Sequence, residues 1–253
     1  MKTFRFFAMA LVAVCMCINF TACSKEDGSS GGDFAGERKL VQMVMTDGDY
    51  TETYKFSYDN QGRVTEIRIG NEDDAWSRLF YWEENTVKVM QDGGEHRCTY
   101  TIENGLVRSK RDPNAPADQA NSYFSYNIAD RLTRISAYTD TEVTWEGDKL
   151  ISVVGPYDYF PTYTYGNVTC KKGYHPLLGL TDFASTNPEL VGMKTNQLPV
   201  SSTNVFYGPY PEYNYTETYE YVFDAEGYIS QIKVKFIASS QDSSNYTYYL
   251  TWE

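Results

Sequence analysis

Histidine is nearly absent from this 253-residue chain, with only His96 and His175 present. A paired-histidine zinc site or an H-E-x-x-H helix is therefore excluded. No G-x-S-x-G elbow, phosphate-cradling P-loop or dinucleotide fingerprint occurs either. Basic residues are scarce: 22 Lys and Arg face 34 Asp and Glu, for a formal charge of −12. A polyanion such as nucleic acid is a poor match for that balance. Carboxylates are plentiful, and a facing pair could hydrolyse a glycoside, but nothing in the sequence singles one out. The run Asp47-Gly48-Asp49-Tyr50-Thr51-Glu52 lacks the ordered ligand series of a calcium loop and reads as an acidic hairpin turn. No catalytic residue, metal ligand or cofactor is assigned, and the chain reads as a non-enzyme.

Long apolar runs are also missing, apart from one. Lys2 and Arg5 precede Phe6 to Ile18, a charge-free stretch too short for a comfortable bilayer span. It ends in Asn19-Phe20-Thr21-Ala22-Cys23, small residues just ahead of a cysteine. This segment resembles the lipobox of bacterial lipoproteins, which implies a signal peptide over 1–22, cleavage before Cys23 and lipidation of that thiol. A thioether-linked diacylglyceryl group with a further palmitate-type acyl chain makes such anchoring durable, since one chain alone binds reversibly. Loss of Lys2 and Arg5 takes the formal charge to −14. Residues 23–36 are rich in glycine and serine and form a tether reaching on the order of 20 Å. Ser24, rather than aspartate, follows the cysteine, and Lys25-Glu26-Asp27 resembles the charged signal that sends Bacteroidota lipoproteins to the cell surface. The expected location is the outer membrane, held by lipid and facing outward. The alternative is that these are solvated linker charges.

The body from Glu37 to Glu253 is long enough for one β domain. Its tyrosines, among 23 in the chain, accompany threonine, valine and isoleucine, residues that suit a pleated, half-buried surface. Two of the five cysteines lie in the leader and Cys23 carries lipid, which leaves Cys98 and Cys170. They are read as buried thiols, with a disulfide as the alternative in an oxidising envelope.

Internal similarity organises this body. The segment from Tyr54 through Tyr58-Asp59-Asn60-Gln61-Gly62-Arg63-Val64 to Ile67 recurs from Phe124 to Ile135 and from Tyr219 to Ile232. Each copy places aromatics at period two, then a polar turn, then a second apolar arm, which is a β-hairpin signature. Shorter relatives run from Tyr81 to Val87, Tyr100 to Leu106, Trp145 to Leu150 and Tyr163 to Val168, with turns near Glu84, Glu103, Gly147 and Gly166. An all-β fold follows: a single large antiparallel meander of repeated hairpins, curled or barrel-like. In the second arms, Val64 and Ile67, Leu132 and Ile135, and Ile229 and Ile232 sit three apart, so either a bulge intervenes or both faces are buried. Charges on both alternating faces argue against a transmembrane barrel.

Tyr58-Asp59 with Gly62-Arg63-Val64 resembles the tyrosine-aspartate repeat of Rhs and teneurin-like shells. With the lipobox, the whole chain resembles an uncharacterised family of Bacteroidota lipoproteins with a porin-like fold. Asn127 and Phe223 depart from the Tyr-Asp pair, and the family supplies no functional residue to carry over.

One stretch breaks the rhythm. Lys172 to Val200 alternates little and is expected to form a short helix and loops plugging one opening, with Leu177, Leu178, Leu180 and Phe183 as its apolar face. Tyrosine and proline cluster in Gly155 to Pro161 and in Phe206 to Tyr213, both at the end of the meander opposite the Tyr-Asp turns. Rings at Tyr157, Tyr159, Tyr207 and Tyr210 could stack on a glycan or hold an envelope protein. The plainer reading is that they pack a sheet edge. The expected function is noncatalytic ligand or partner binding through these loops. The alternatives are a structural envelope component and, behind it, a carboxylate-based glycan hydrolase.

Overall fold

A computed structural model describes residues 38–253 except 72–73, 156–158, 172–174, 176–177, 179–186, 207–213 and 240–242. Sixteen strands follow one another: β1 (Leu40–Asp47), β2 (Tyr50–Tyr58), β3 (Val64–Ile69), β4 (Trp76–Trp82), β5 (Thr86–Gln91), β6 (Glu95–Glu103), β7 (Leu106–Arg111) and β8 (Asn121–Tyr126). Then come β9 (Leu132–Ser136), β10 (Thr141–Glu146), β11 (Lys149–Val154), β12 (Tyr159–Thr169), β13 (Gln197–Phe206), β14 (Tyr215–Phe223), β15 (Ile229–Ala238) and β16 (Ser243–Trp252). Every strand pairs antiparallel with its sequence neighbours, and β1 pairs with β16 to close the barrel. Closure leaves no sheet edge. Lys39 and Glu253 extend the seam, the Glu253 N–H donating to the Lys39 carbonyl at 2.8 Å.

Most large apolar residues of the strands face inward, although Tyr81, Tyr123, Val222, Ile237 and Tyr249 are exposed. Met43, Tyr54, Phe56, Ile67, Phe80, Val89, Tyr100, Phe124, Val143, Val234, Tyr248 and Leu250 belong to one buried cluster. The outward positions of the same strands carry exposed Lys55, Arg68, Lys88, Arg97, Glu142, Glu220, Lys233 and Lys235. Burial of that inner face is the main stabilising term.

The three-residue spacing resolves as a bulge. Tyr58 pairs with Val64 and Ser57 with Glu66, so Thr65 is the extra residue, and Val64 and Ile67 both point inward, at 0% and 4% exposure. The same shift brings Leu132 and Ile135, and Ile229 and Ile232, to the inner face. Strands β7 and β11 repeat it at Val107 and at Leu150.

Each Tyr-Asp turn is built by one side chain. Asp59 Oδ1 accepts the backbone N–H of Gln61 and of Arg63, both at 2.9 Å. Asn127 does the same for Ala129 and Arg131, and Asp224 for Glu226 and Tyr228. An Asx oxygen suits this geometry whether or not it carries charge, which is why Asn127 substitutes freely. The fourth residue of each turn, Gly62, Asp130 or Gly227, has positive φ.

Among the described residues, seven inward aromatics at the turn end donate to the backbone of the preceding strand. Tyr58 bonds the Leu40 carbonyl at 2.8 Å, Trp82 that of Val64 at 2.7 Å, Tyr126 that of Val107 at 2.6 Å and Trp145 that of Leu132 at 2.8 Å. Tyr165, Tyr221 and Trp252 repeat the contact with Leu150, Pro199 and Ile229. Cations that immediately precede four of these acceptors cover the same rings: Lys39 over Tyr58, Arg63 over Trp82, Arg131 over Trp145 and Lys149 over Tyr165.

Two expectations need correction. Gly166 is not a turn: it lies within β12, at an irregular register, where a Cβ would stand 3.0 Å from Val200 Cγ1. The close approach of β13, rather than chain reversal, calls for glycine there. Within the expected plug, the described residues 187–196 form turns and irregular chain rather than helix. Cys98 and Cys170 are both buried, and neither is in a disulfide.

Candidate functional site

The two ends of the barrel differ. At the turn end, Leu40, Val64, Val87, Val107, Leu132, Leu150, Leu198 and Ile229 are at most 1% exposed. The segment around 187–195 crosses this end. Its Leu190 carbonyl accepts from Val107 N–H at 2.8 Å, its Gly192 carbonyl from Leu132 N–H at 3.2 Å, and Thr195 Oγ1 donates to the Asp148 carbonyl at 2.5 Å. His175 and Leu178 of the same insertion are buried, whereas Leu177, Leu180 and Phe183 lie outside the described residues. The His175 ring packs edge-on against Tyr219 and Tyr221, and its Nε2 sits 2.7 Å from the Tyr221 hydroxyl. That hydroxyl spends its proton on the Pro199 carbonyl at 2.6 Å, so Nε2–H is the donor. Burial pushes the imidazole pKa down to about 3 and keeps it neutral.

The polar inward side chains of the strands concentrate toward the opposite end, and two of them stand in duplicate. Tyr50-Thr51-Glu52-Thr53-Tyr54 of β2 recurs verbatim as Tyr215-Thr216-Glu217-Thr218-Tyr219 of β14. In both copies the second tyrosine donates to the glutamate two residues earlier: Tyr54 to Glu52, and Tyr219 to Glu217 at 2.7 Å. Period two places glutamate and tyrosine on one face, and the register puts that face inward, with Glu52 opposite Met45 and Glu217 opposite Ser202. Glu217 also accepts from Ser202 Oγ at 3.2 Å and from the Tyr246 hydroxyl. Asn204 Nδ2 donates to Ser202 Oγ at 3.2 Å. Burial, followed by the nearby carboxylates, raises the pKa of Tyr54, Tyr219, Tyr246 and Tyr248 and keeps these hydroxyls protonated donors. Tyr248 feels both Glu217 and Glu52.

The inner wall around β4 to β7 is cationic instead. Arg78 lies opposite Ile67, and Lys110 opposite Tyr100 and Ser122. Both act on Cys98, whose thiol is raised by burial, partly pulled back by Lys110, the Tyr100 hydroxyl and Arg78, and pushed up again by the Asp112 carboxylate.

Tyr157, Tyr207 and Tyr210 lie outside the described residues. The Tyr159 backbone opens β12 and pairs with Phe206, while Tyr215 opens β14. These strand ends lie opposite the Asp59, Asn127 and Asp224 turns, as the hairpin count requires. The duplicated Tyr-Thr-Glu-Thr-Tyr is the signal that alignment on the Tyr-Asp turns alone overlooked. Among the described residues, no group of three or more His, Cys, Asp or Glu side chains is arranged to hold a metal.

No protein-family model matches the chain, and no curated protein matches it. Solved structures do. A porin-like protein from Bacteroides uniformis superposes with a TM-score of 0.57 at 15% identity, covering 85% of this chain and 98% of that one. A porin-like protein from Bacteroides vulgatus covers the same shares at 12% identity with a TM-score of 0.37. The first of these shares the porin-like fold of this chain, a closed antiparallel meander.

Proposed function

We propose that this chain is a lipid-anchored envelope protein of the outer membrane that binds a ligand or partner at the loop end of its barrel and catalyses no reaction. The observation that carries this reading is the asymmetry of the interior. One end is crossed by the segment around 187–195 and braced by the aromatic donors to strand carbonyls, and the polar inward side chains of the strands, Glu52, Ser202, Asn204, Glu217 and Lys110, lie toward the other.

Lipid attachment at Cys23, rather than the barrel wall, provides the membrane contact. Exposed Lys55, Arg68, Lys88, Lys233 and Lys235 at mid-strand outward positions would each cost about 2–4 kcal/mol at a bilayer midplane. The tether over 23–36 leaves the body free in the aqueous phase. Tyr157, Tyr159, Tyr207 and Tyr210 belong to or border the loop-end connections and supply ring faces for a glycan or an envelope protein.

A glycan array probed with the mature chain tests the binding reading. Retention of a glycan class, lost on combined Tyr→Ala replacement at Tyr157, Tyr159, Tyr207 and Tyr210, supports it. A silent array, together with a stoichiometric neighbour in crosslinked membranes, would favour a purely structural role. Cys23→Ser should release the protein from membranes, and protease treatment of intact cells reads the outward orientation.

A further inference from the structure

We infer that the inner wall at the mouth of the barrel holds an anion-binding subsite centred on Lys110, which takes a carboxylate or sulfate group of the ligand. The inference rests on the loop-end reading above and assigns a chemical class to it.

The hairpin repeat exposes Lys110 as an exception. In the five bulged second arms, the position three residues after the first inward aliphatic is Ile67, Lys110, Ile135, Val153 and Ile232. Four are β-branched aliphatics at 0–9% exposure. The fifth is an ammonium on the same inner face, with core residue Tyr100 directly opposite it. An inward lysine costs desolvation that an isoleucine would not. No hydrogen bond or ion pair offsets it among the described residues; the Asp112 carboxylate, two residues on, accepts the Asn114 N–H at 2.8 Å and, like Lys110, acts on Cys98. Lys110 is half-buried, so the charge is reachable from the mouth while partly shielded from bulk solvent.

The surroundings extend a cationic wall. Arg78 enters the same interior from β4 and also acts on Cys98 between them. The carboxylates Glu52 and Glu217 stand elsewhere on the wall. Glu217 is seven strands from Lys110 in one direction and nine in the other, almost diametrically across the barrel. Its oxygens are already taken by Tyr219, Ser202 and Tyr246. An acidic ligand entering the mouth is thus drawn to one side and repelled from the other.

Lys110→Ile and Lys110→Arg test this. Isoleucine is the residue the repeat itself places at three equivalents, so the variant should fold with an unchanged or higher unfolding midpoint. The mature chain and both variants are applied to uronate- and sulfate-bearing oligosaccharides, each beside its methyl-esterified or desulfated counterpart. The expected result is preference for the charged member, weakening with salt, lost roughly ten- to a hundredfold in Lys110→Ile and kept in Lys110→Arg. Separating uronate from sulfate arms identifies the anion. Equal binding of charged and neutral members, or undiminished binding by Lys110→Ile, overturns the anion subsite and leaves the loop-end reading standing. Silence of every glycan, charged and neutral, overturns the anion subsite and leaves only a protein partner at the loop end, which crosslinked membranes would identify.

Discussion

Asp59 and Arg63 are joined by three hydrogen bonds and an ion pair within one turn. The Asp59 carboxylate accepts the Arg63 backbone N–H at 2.9 Å and its Nε–H at 2.7 Å, while the Arg63 carbonyl accepts the Asp59 N–H at 2.9 Å. Burial would raise the carboxyl pKa, but these donors prevail and hold it below its ordinary value. The stability it contributes is therefore present above the unfolded pKa and lost as pH falls through the folded one. Asp59→Ala should cost about 1–3 kcal/mol by stranding the turn amides. Asp59→Asn should cost less, because Asn127 builds the same turn. Urea denaturation of both variants checks the order, and equal losses would refute the amide-acceptor account.

The aromatic latches make a second set of expectations. Trp82→Phe, Trp145→Phe and Trp252→Phe keep most of the packing but leave a carbonyl without its donor. Each should lower stability by about 1–3 kcal/mol. Trp252 is buried at the seam strand, its ring packed at a tilt 5.2 Å from that of Tyr228, so its replacement should be the costliest. Thermal unfolding ranks the three. A larger loss at Trp82 or Trp145 would show that the seam carries no special weight.

Much of this barrel was legible because its repeat is local. Period-two aromatics, an Asx residue and a residue of positive φ lie within a dozen positions, and the Val64–Ile67 spacing already demanded a bulge or a doubly buried sheet. The latches were not legible, since Trp252 and its acceptor Ile229 are 23 residues apart and meet only through register. Lys110 likewise looks ordinary in Arg108-Ser109-Lys110 until the bulge fixes which face it takes. Gly166 misled because glycine beside asparagine is a turn signal, and only the approach of Val200 reveals its other use.

Gly192 is where the crossing segment meets the wall most closely. Its φ is +64°, and a Cβ there would lie 2.2 Å from the Asp130 carbonyl oxygen and 2.8 Å from Leu132 N. Gly192→Ala must displace this segment or open the β8–β9 turn, at more than about 2 kcal/mol. Gly48→Ala, at φ +57° with nothing within 4 Å, incurs only the backbone penalty of about 1–2 kcal/mol. Faster amide exchange at Val107 and Leu132 in the Gly192 variant alone would locate the damage at the turn end. Unchanged protection at both amides would show that the crossing segment does not depend on this contact.

His175 ties the insertion to the barrel only while its imidazole is neutral. Its pKa falls from about 6.5 in the unfolded chain to about 3 in the fold, because burial disfavours the cation. A depressed folded pKa means that the contribution is complete above the unfolded value and declines as pH falls from there toward about 3. The slope approaches roughly 1.4 kcal/mol per pH unit for this one group. Carboxylates add their own acid dependence, so the informative quantity is the difference between the wild type and His175→Phe. The phenyl ring keeps the edge contacts with Tyr219 and Tyr221 and cannot titrate. Denaturant midpoints should favour the wild type at pH 7 and converge, or cross, by pH 4. A constant gap across that range would mean that His175 does not need to shed a proton to be buried.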